Sequence, residues 1–147
     1  FGRPSSVHAE IATLRKGAKA DDDAFLSLRH DNGVRSHLWM GALVADLGPR
    51  FRVLGDQAAY VKYGMDPQEE LLKAGATPGG EGWGEEQPEA WGRLNDEPHR
   101  TEPGAYQDFY AKVAAGQAPV PPQDAVAGLE VIEAAQASAR TGRTISL

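Results

Sequence analysis

No cysteine occurs among the 147 residues. Disulfides, thiolate metal sites and a cysteine nucleophile are therefore excluded, folding rests on packing alone, and a reducing cytoplasm is the expected compartment. No apolar run approaches the roughly 20 residues that a bilayer-spanning helix needs, and no charged leader with an apolar core and small-residue cleavage site is present. No membrane association is expected. Positive charge is scarce: 15 Lys and Arg stand against 21 Asp and Glu, for a net charge of −6, and no basic stripe is visible. Nucleic acid is consequently not an expected partner. Neither a dinucleotide fingerprint nor a P-loop occurs, and no serine sits in a G-x-S-x-G elbow. Gly79-Gly80-Glu81-Gly82-Trp83-Gly84 is rich in glycine, but its spacing is wrong and no strand precedes it. His8, His30, His37 and His99 are scattered without an H-x-x-H pair, so the residues themselves point to no catalytic group and no metal site.

What is present suits one domain spanning residues 1–147, long enough to bury a core. The first third reads as antiparallel sheet. Val7 to Leu14 has strand character, and Asp21-Asp22-Asp23 interrupts it as a solvated turn, lacking the glycine and distal Glu of a calcium loop. Asn32-Gly33 within Ala24 to Val44 predicts a hairpin with a two-residue type I′ turn. Pairing Asp31 with Val34 then sets Leu28 opposite His37 and Leu26 opposite Trp39, with Ser27 and Phe25 facing Leu38 and Met40 on the other side. Large apolar groups on both faces predict one face covered by helices and the other by a second protein surface. Phe51 to Leu54 and Ala58 to Lys62 extend the sheet by another hairpin.

Asp66-Pro67-Gln68-Glu69 has the acceptor, first-turn proline and N3 acid of a helix start, and Gly75 supplies the stop. Residues 76–100 have no period and read as a long loop anchored by Trp83 and Trp91. Thr101 can cap a helix whose Tyr106, Phe109, Tyr110 and Val113 form an aromatic stripe suited to core packing. Gln123 to Arg140 reads as a last helix packed through Val126, Leu129, Ile132 and alanines, followed by strand-like Thr144 to Leu147. Strands followed by helices, without strict alternation, predict an α+β fold.

Three ordered segments carry a family resemblance: Phe1-Gly2-Arg3-Pro4 with Val7; Phe51-Arg52-Val53-Leu54-Gly55 leading to Tyr60-Val61-Lys62-Tyr63-Gly64-Met65-Asp66-Pro67-Gln68-Glu69; and Glu102-Pro103-Gly104-Ala105-Tyr106 with Phe109-Tyr110. Together with the tail from Ala125 to Leu147 they resemble the C-terminal domain of the Gfo/Idh/MocA oxidoreductases, the Lys-Tyr-Gly-x-Asp-Pro-Gln-Glu run being the specific element. The resemblance implies an open, largely antiparallel sheet with helices on one face and the other face available for homodimerisation. It also implies an upstream Rossmann domain that binds NAD or NADP and supplies the catalytic lysine. With no initiator methionine before Phe1, the chain is expected to be a piece of such a protein, without hydride chemistry of its own.

On that reading the chain is the substrate-binding and dimerisation domain of an NAD(P)-dependent sugar or polyol oxidoreductase. Lys62 and Tyr63 carry hydroxyl-binding donors and are the first candidate substrate-binding residues, with Trp39 and His37 on the sheet as further substrate-binding candidates. Capping alone would account for Asp66 and Glu69, and the end of an edge strand would account for Lys62. The alternatives are a stand-alone ligand-binding or scaffold module of the same fold, or a small cofactor-free enzyme using the sheet as a pocket.

Overall fold

A computed structural model describes residues 1–64, 67–83, 92–94, 97–99 and 105–147. Eight strands and three helices follow in the order β1 (Pro4–Ala12), β2 (Asp23–His30), β3 (Arg35–Gly41), β4 (Phe51–Leu54), β5 (Ala59–Lys62), α1 (Pro67–Lys73), β6 (Gly92–Leu94), β7 (Glu97–His99), α2 (Ala105–Ala114), α3 (Pro122–Thr141) and β8 (Ile145–Ser146). The class is α+β, as expected. Two compact units are distinguishable, one made of residues 1–45 and 120–147, the other of residues 46–119. The strands form two four-stranded sheets, ordered β3-β2-β1-β8 and β4-β5-β6-β7, so the second hairpin does not extend the first sheet.

In the first unit, period-two alternation sends Val7 and Ala9 of β1 and Leu26 and Leu28 of β2 to one face. There they meet Ala134 and Ala135 of α3, with Ile11, Ala24, Val131, Ile145 and Leu147 at the margin. Small residues on α3 let the helix approach the sheet closely. Burying each of the larger side chains stabilises the unit by about 1.5–3 kcal/mol. The predicted packing ridge is on the wrong side of the helix, because Val126, Leu129 and Ile132 are exposed. The alanine and serine positions are what the helix buries.

The β2–β3 turn also departs from expectation. Gly33 N–H donates to His30 C=O at 3.0 Å and His30 N–H to Val34 C=O at 2.9 Å, enclosing the three-residue loop Asp31-Asn32-Gly33. Gly33 takes φ 86°, the left-handed residue that closes such a loop. One extra loop residue shifts the pairing, so that Leu28 faces Ser36, Leu26 faces Leu38, Ser27 faces His37 and Phe25 faces Trp39. A one-residue slip exchanges cross-strand neighbours throughout. Here it sorts the hairpin into an apolar face toward α3 and a polar and aromatic face away from it.

Asp22 is not solvated. Its carboxylate accepts the Leu14 N–H at 2.6 Å, the Arg15 N–H at 3.1 Å and the Arg15 guanidinium at 2.8 Å, and its side chain is 1% exposed. The acidic turn is tied down by its middle residue.

In the second unit β5 lies between β4 and β6, correcting the edge-strand reading of Lys62. Helix α1 ends as Gly75 predicts: Ala76 N–H reaches Leu71 C=O at 2.9 Å and Gly75 N–H reaches Leu72 C=O at 3.0 Å, with Gly75 at φ 82°. The loop expected over residues 76–100 contains the antiparallel pair β6–β7. On α2, Phe109, Tyr110 and Val113 are exposed rather than core. The expected roles of Asp66, Trp91 and Thr101, and of the Tyr106 side chain, lie outside the described residues.

Candidate functional site

The face of β1, β2 and β3 turned away from α3 is built in rows fixed by strand register. Ser6, Arg29 and Arg35 form one row, His8, Ser27 and His37 the next, Glu10, Phe25 and Trp39 a third, and Ala12, Asp23 and Gly41 the last. Phe25 is central to the third row, its ring 5.8 Å from the His37 ring and 6.1 Å from that of Trp39, edge-on to the indole. Trp39 is 77% exposed. At the other end lies a groove of about 410 Å³ whose lining includes Ser6, His8, Ser27, Arg29, Arg35 and His37. Arg29 and Arg35 are directly opposite each other, and no carboxylate lines the groove. Like charges in that relation repel and favour an incoming acceptor.

His37 and Trp39 thus share a face, as predicted. Sequence reasoning missed Ser6, His8, Arg29 and Arg35. The signal for Ser6 and His8 was the alternation Ser6-Val7-His8-Ala9-Glu10-Ile11, and for Arg29 the alternation Leu26-Ser27-Leu28-Arg29, while Arg35 depends on the hairpin register. On the opposite side of the sheet, the side of Leu26 and Leu28, buried His30 contacts Gly2 C=O through Nδ1 at 3.0 Å and the Ser36 hydroxyl through Nε2 at 3.0 Å. Since a carbonyl only accepts, Nδ1 carries a proton and donates it to Gly2 C=O.

Lys62 and Tyr63 are consecutive at the end of β5 in the second unit, where Lys62 is 6% exposed and Tyr63 is open to solvent. A buried ammonium is costly unless paired, and Lys62 is engaged rather than free. Nearby in sequence, Gln68 is fully buried and its Oε1 accepts the indole N–H of Trp83 at 3.0 Å. That bond pins the glycine-rich turn to α1, a structural role for Trp83.

Every strand pair among the described residues is antiparallel. A pyrophosphate cradle of the dinucleotide type needs a strand, glycine turn and helix within a parallel βαβ unit. No such unit occurs among the described residues. Nor do three or more His, Asp or Glu side chains converge among them as metal ligands would. No helix among them is long and apolar enough to cross a membrane.

Comparison with known proteins places this geometry. The model of the C-terminal α/β domain of the Gfo/Idh/MocA oxidoreductase family matches residues 1–147. Over its full length the chain is 32% identical to the NADP(+)-dependent scyllo-inositol 2-dehydrogenase IolW of Bacillus subtilis, covering 44% of that protein. It is 34% identical to the uncharacterized oxidoreductase YdgJ of Escherichia coli, covering 45%. Among solved structures, yvaA from Bacillus subtilis superimposes over the whole chain with a TM-score of 0.88 at 32% identity, the chain spanning 46% of it. The chain thus spans less than half the length of these relatives.

Proposed function

Because the chain belongs to the Gfo/Idh/MocA oxidoreductase family as its C-terminal α/β domain, we propose that it is the substrate-binding and dimerisation domain of an NAD(P)-dependent sugar or polyol oxidoreductase. One observation carries the reading: the whole chain matches the family's C-terminal α/β domain and aligns end to end with 44% of the scyllo-inositol 2-dehydrogenase IolW, while its described strand pairs are all antiparallel. The nicotinamide site and hydride chemistry then belong to an N-terminal Rossmann domain of the whole protein. Lys62 and Tyr63 are the proposed hydroxyl-binding residues. A lysine held at a strand end presents a fixed donor, and an exposed tyrosine beside it gives a second one. The aromatic and polar face of β1–β3, with His37 and Trp39, is the proposed subunit contact. An indole so exposed is a surface that association would cover.

The test is a spectrophotometric assay of the full-length protein with NAD(+) and NADP(+) against inositols, linear polyols and aldoses. Coenzyme reduction with at least one polyol or sugar is expected. Failure of every pairing, in a protein that binds coenzyme, would overturn the substrate class.

A further inference from the structure

Asparagine followed by glycine is the dipeptide in which a chain most readily attacks itself. The Gly33 nitrogen, once its proton is lost, adds to Asn32 Cγ and ammonia leaves. Water then opens the resulting succinimide at one carbonyl to give aspartate or at the other to give isoaspartate. Glycine allows this because no Cβ obstructs the approach of its own nitrogen. The chain has two asparagines, and the other, Asn95, precedes Asp96. Asn32 and Gly33 are both exposed at the β2–β3 turn, yet the fold engages every atom that the cyclisation needs. Gly33 N–H is donated to His30 C=O at 3.0 Å. Asn32 Oδ1 accepts the Val34 N–H at 3.1 Å, and Asn32 Nδ2 donates to Phe1 C=O at 3.2 Å. The nucleophile's proton is thus held, and the amide it would attack is fixed at both ends.

We propose that Asn32-Gly33 is a spontaneous modification site, gated by opening of the turn, whose conversion releases the Phe1–Gly2 segment from the β2–β3 hairpin. Two hydrogen bonds attach that segment: the one from Asn32 Nδ2, and the one from His30 Nδ1 to Gly2 C=O at 3.0 Å, with the Phe1 ring edge-on to the His30 ring at 6.1 Å. In the first, the asparagine amide is the donor. An ionised aspartate or isoaspartate has no proton to give, and its charge faces the Phe1 carbonyl oxygen, so an attraction becomes a repulsion. Either product also stands next to Asp31 and adds like charge to the turn. Isoaspartate further inserts a methylene into the backbone of a three-residue loop closed by His30 N–H to Val34 C=O at 2.9 Å, and hairpin register depends on loop length. Conversion waits on a local opening of the turn, whose frequency these hydrogen bonds set.

Full-length protein held at mildly alkaline pH, which favours loss of the Gly33 amide proton, tests site, gate and release separately. Peptide mapping by mass spectrometry, with electron-transfer fragmentation to distinguish isoaspartate from aspartate, follows Asn32 and Asn95. Asn32 is expected to convert while Asn95 persists. In urea Asn32 should convert at least about 10-fold faster, because the turn is then open. Gly33→Ala places a methyl group beside the nucleophile and should slow conversion in urea about 10-fold or more. Its Cβ would meet nothing within 4 Å in the folded turn, so any cost to folding comes from the left-handed backbone alone. Asn32→Asp stands in for the product and is expected to exchange amide hydrogens faster than wild type in the peptide holding Phe1 to Arg3. Unchanged exchange in α3 shows that this variant is folded. Asn32 intact in urea, or intact for as long as the protein stays folded, would overturn the site. Equal rates with and without urea would overturn the gate, and wild-type exchange at Phe1 to Arg3 in Asn32→Asp would overturn the release.

Discussion

Ser138 Oγ accepts the backbone N–H of Ala9 at 2.9 Å, 129 residues away in sequence, and donates to the Arg143 carbonyl at 2.7 Å. β8 pairs with β1 only at Ser6 and Val7. Ser138 takes over where that ladder stops, so one hydroxyl completes the sheet edge and ties the end of α3 to it. Ser138→Ala leaves a buried N–H without an acceptor and is expected to cost about 1–3 kcal/mol. Urea unfolding followed by circular dichroism measures it, and a midpoint unchanged from wild type would contradict the role.

The Asp22 carboxyl is held below its ordinary value of 3.8, first by the Leu14 N–H and then by the Arg15 guanidinium. Since the folded-state value is depressed, its contribution to stability is complete above the unfolded carboxyl's value and is lost as pH falls through the folded one. Asp22→Asn should therefore flatten the acid limb of a stability-against-pH curve measured by thermal unfolding. Parallel acid limbs for both proteins would refute the assignment.

Trp83→Phe retains most of the buried ring but removes the donor that meets Gln68 Oε1 at 3.0 Å. A loss of about 1–3 kcal/mol is expected, together with faster hydrogen exchange in residues 77–83, read by mass spectrometry. A variant as stable and as protected as wild type would show that the bond does not hold the turn.

Lys62→Met and Tyr63→Phe each remove a proposed hydroxyl donor. In the full-length protein each is expected to raise KM for the sugar or polyol about 10-fold or more while coenzyme KM stays unchanged. Equal changes for both substrates, or none, would remove these residues from the pocket.

Much of the architecture was legible from local rules. Gly75 stops α1 because it tolerates positive φ, and the runs at Phe51 to Leu54 and Ala59 to Lys62 are strands because branched and aromatic residues suit the pleat. The turn at Asn32-Gly33 was located but miscounted, since a two-residue and a three-residue loop can use the same pair and only the flanking hydrogen bonds decide between them. The α3 ridge was misassigned for a related reason. Val126, Leu129 and Ile132 have the stronger apolar signal, yet Ala134, Ala135 and Ser138 have the size that admits a closely packed sheet. β6 and β7 sit in a stretch whose composition signals loop, and their pairing to β5 is a long-range event that no local window contains.

By itself the order of residues determined the α+β class, the family and most element boundaries, because propensity, capping and periodicity act within a few residues of each other. Tertiary structure alone decided which side chains share the open face, that Arg29 confronts Arg35, and that Ser138 closes the edge of β1. Each of those depends on strand register or on helix packing, and both are set by contacts between segments far apart along the chain.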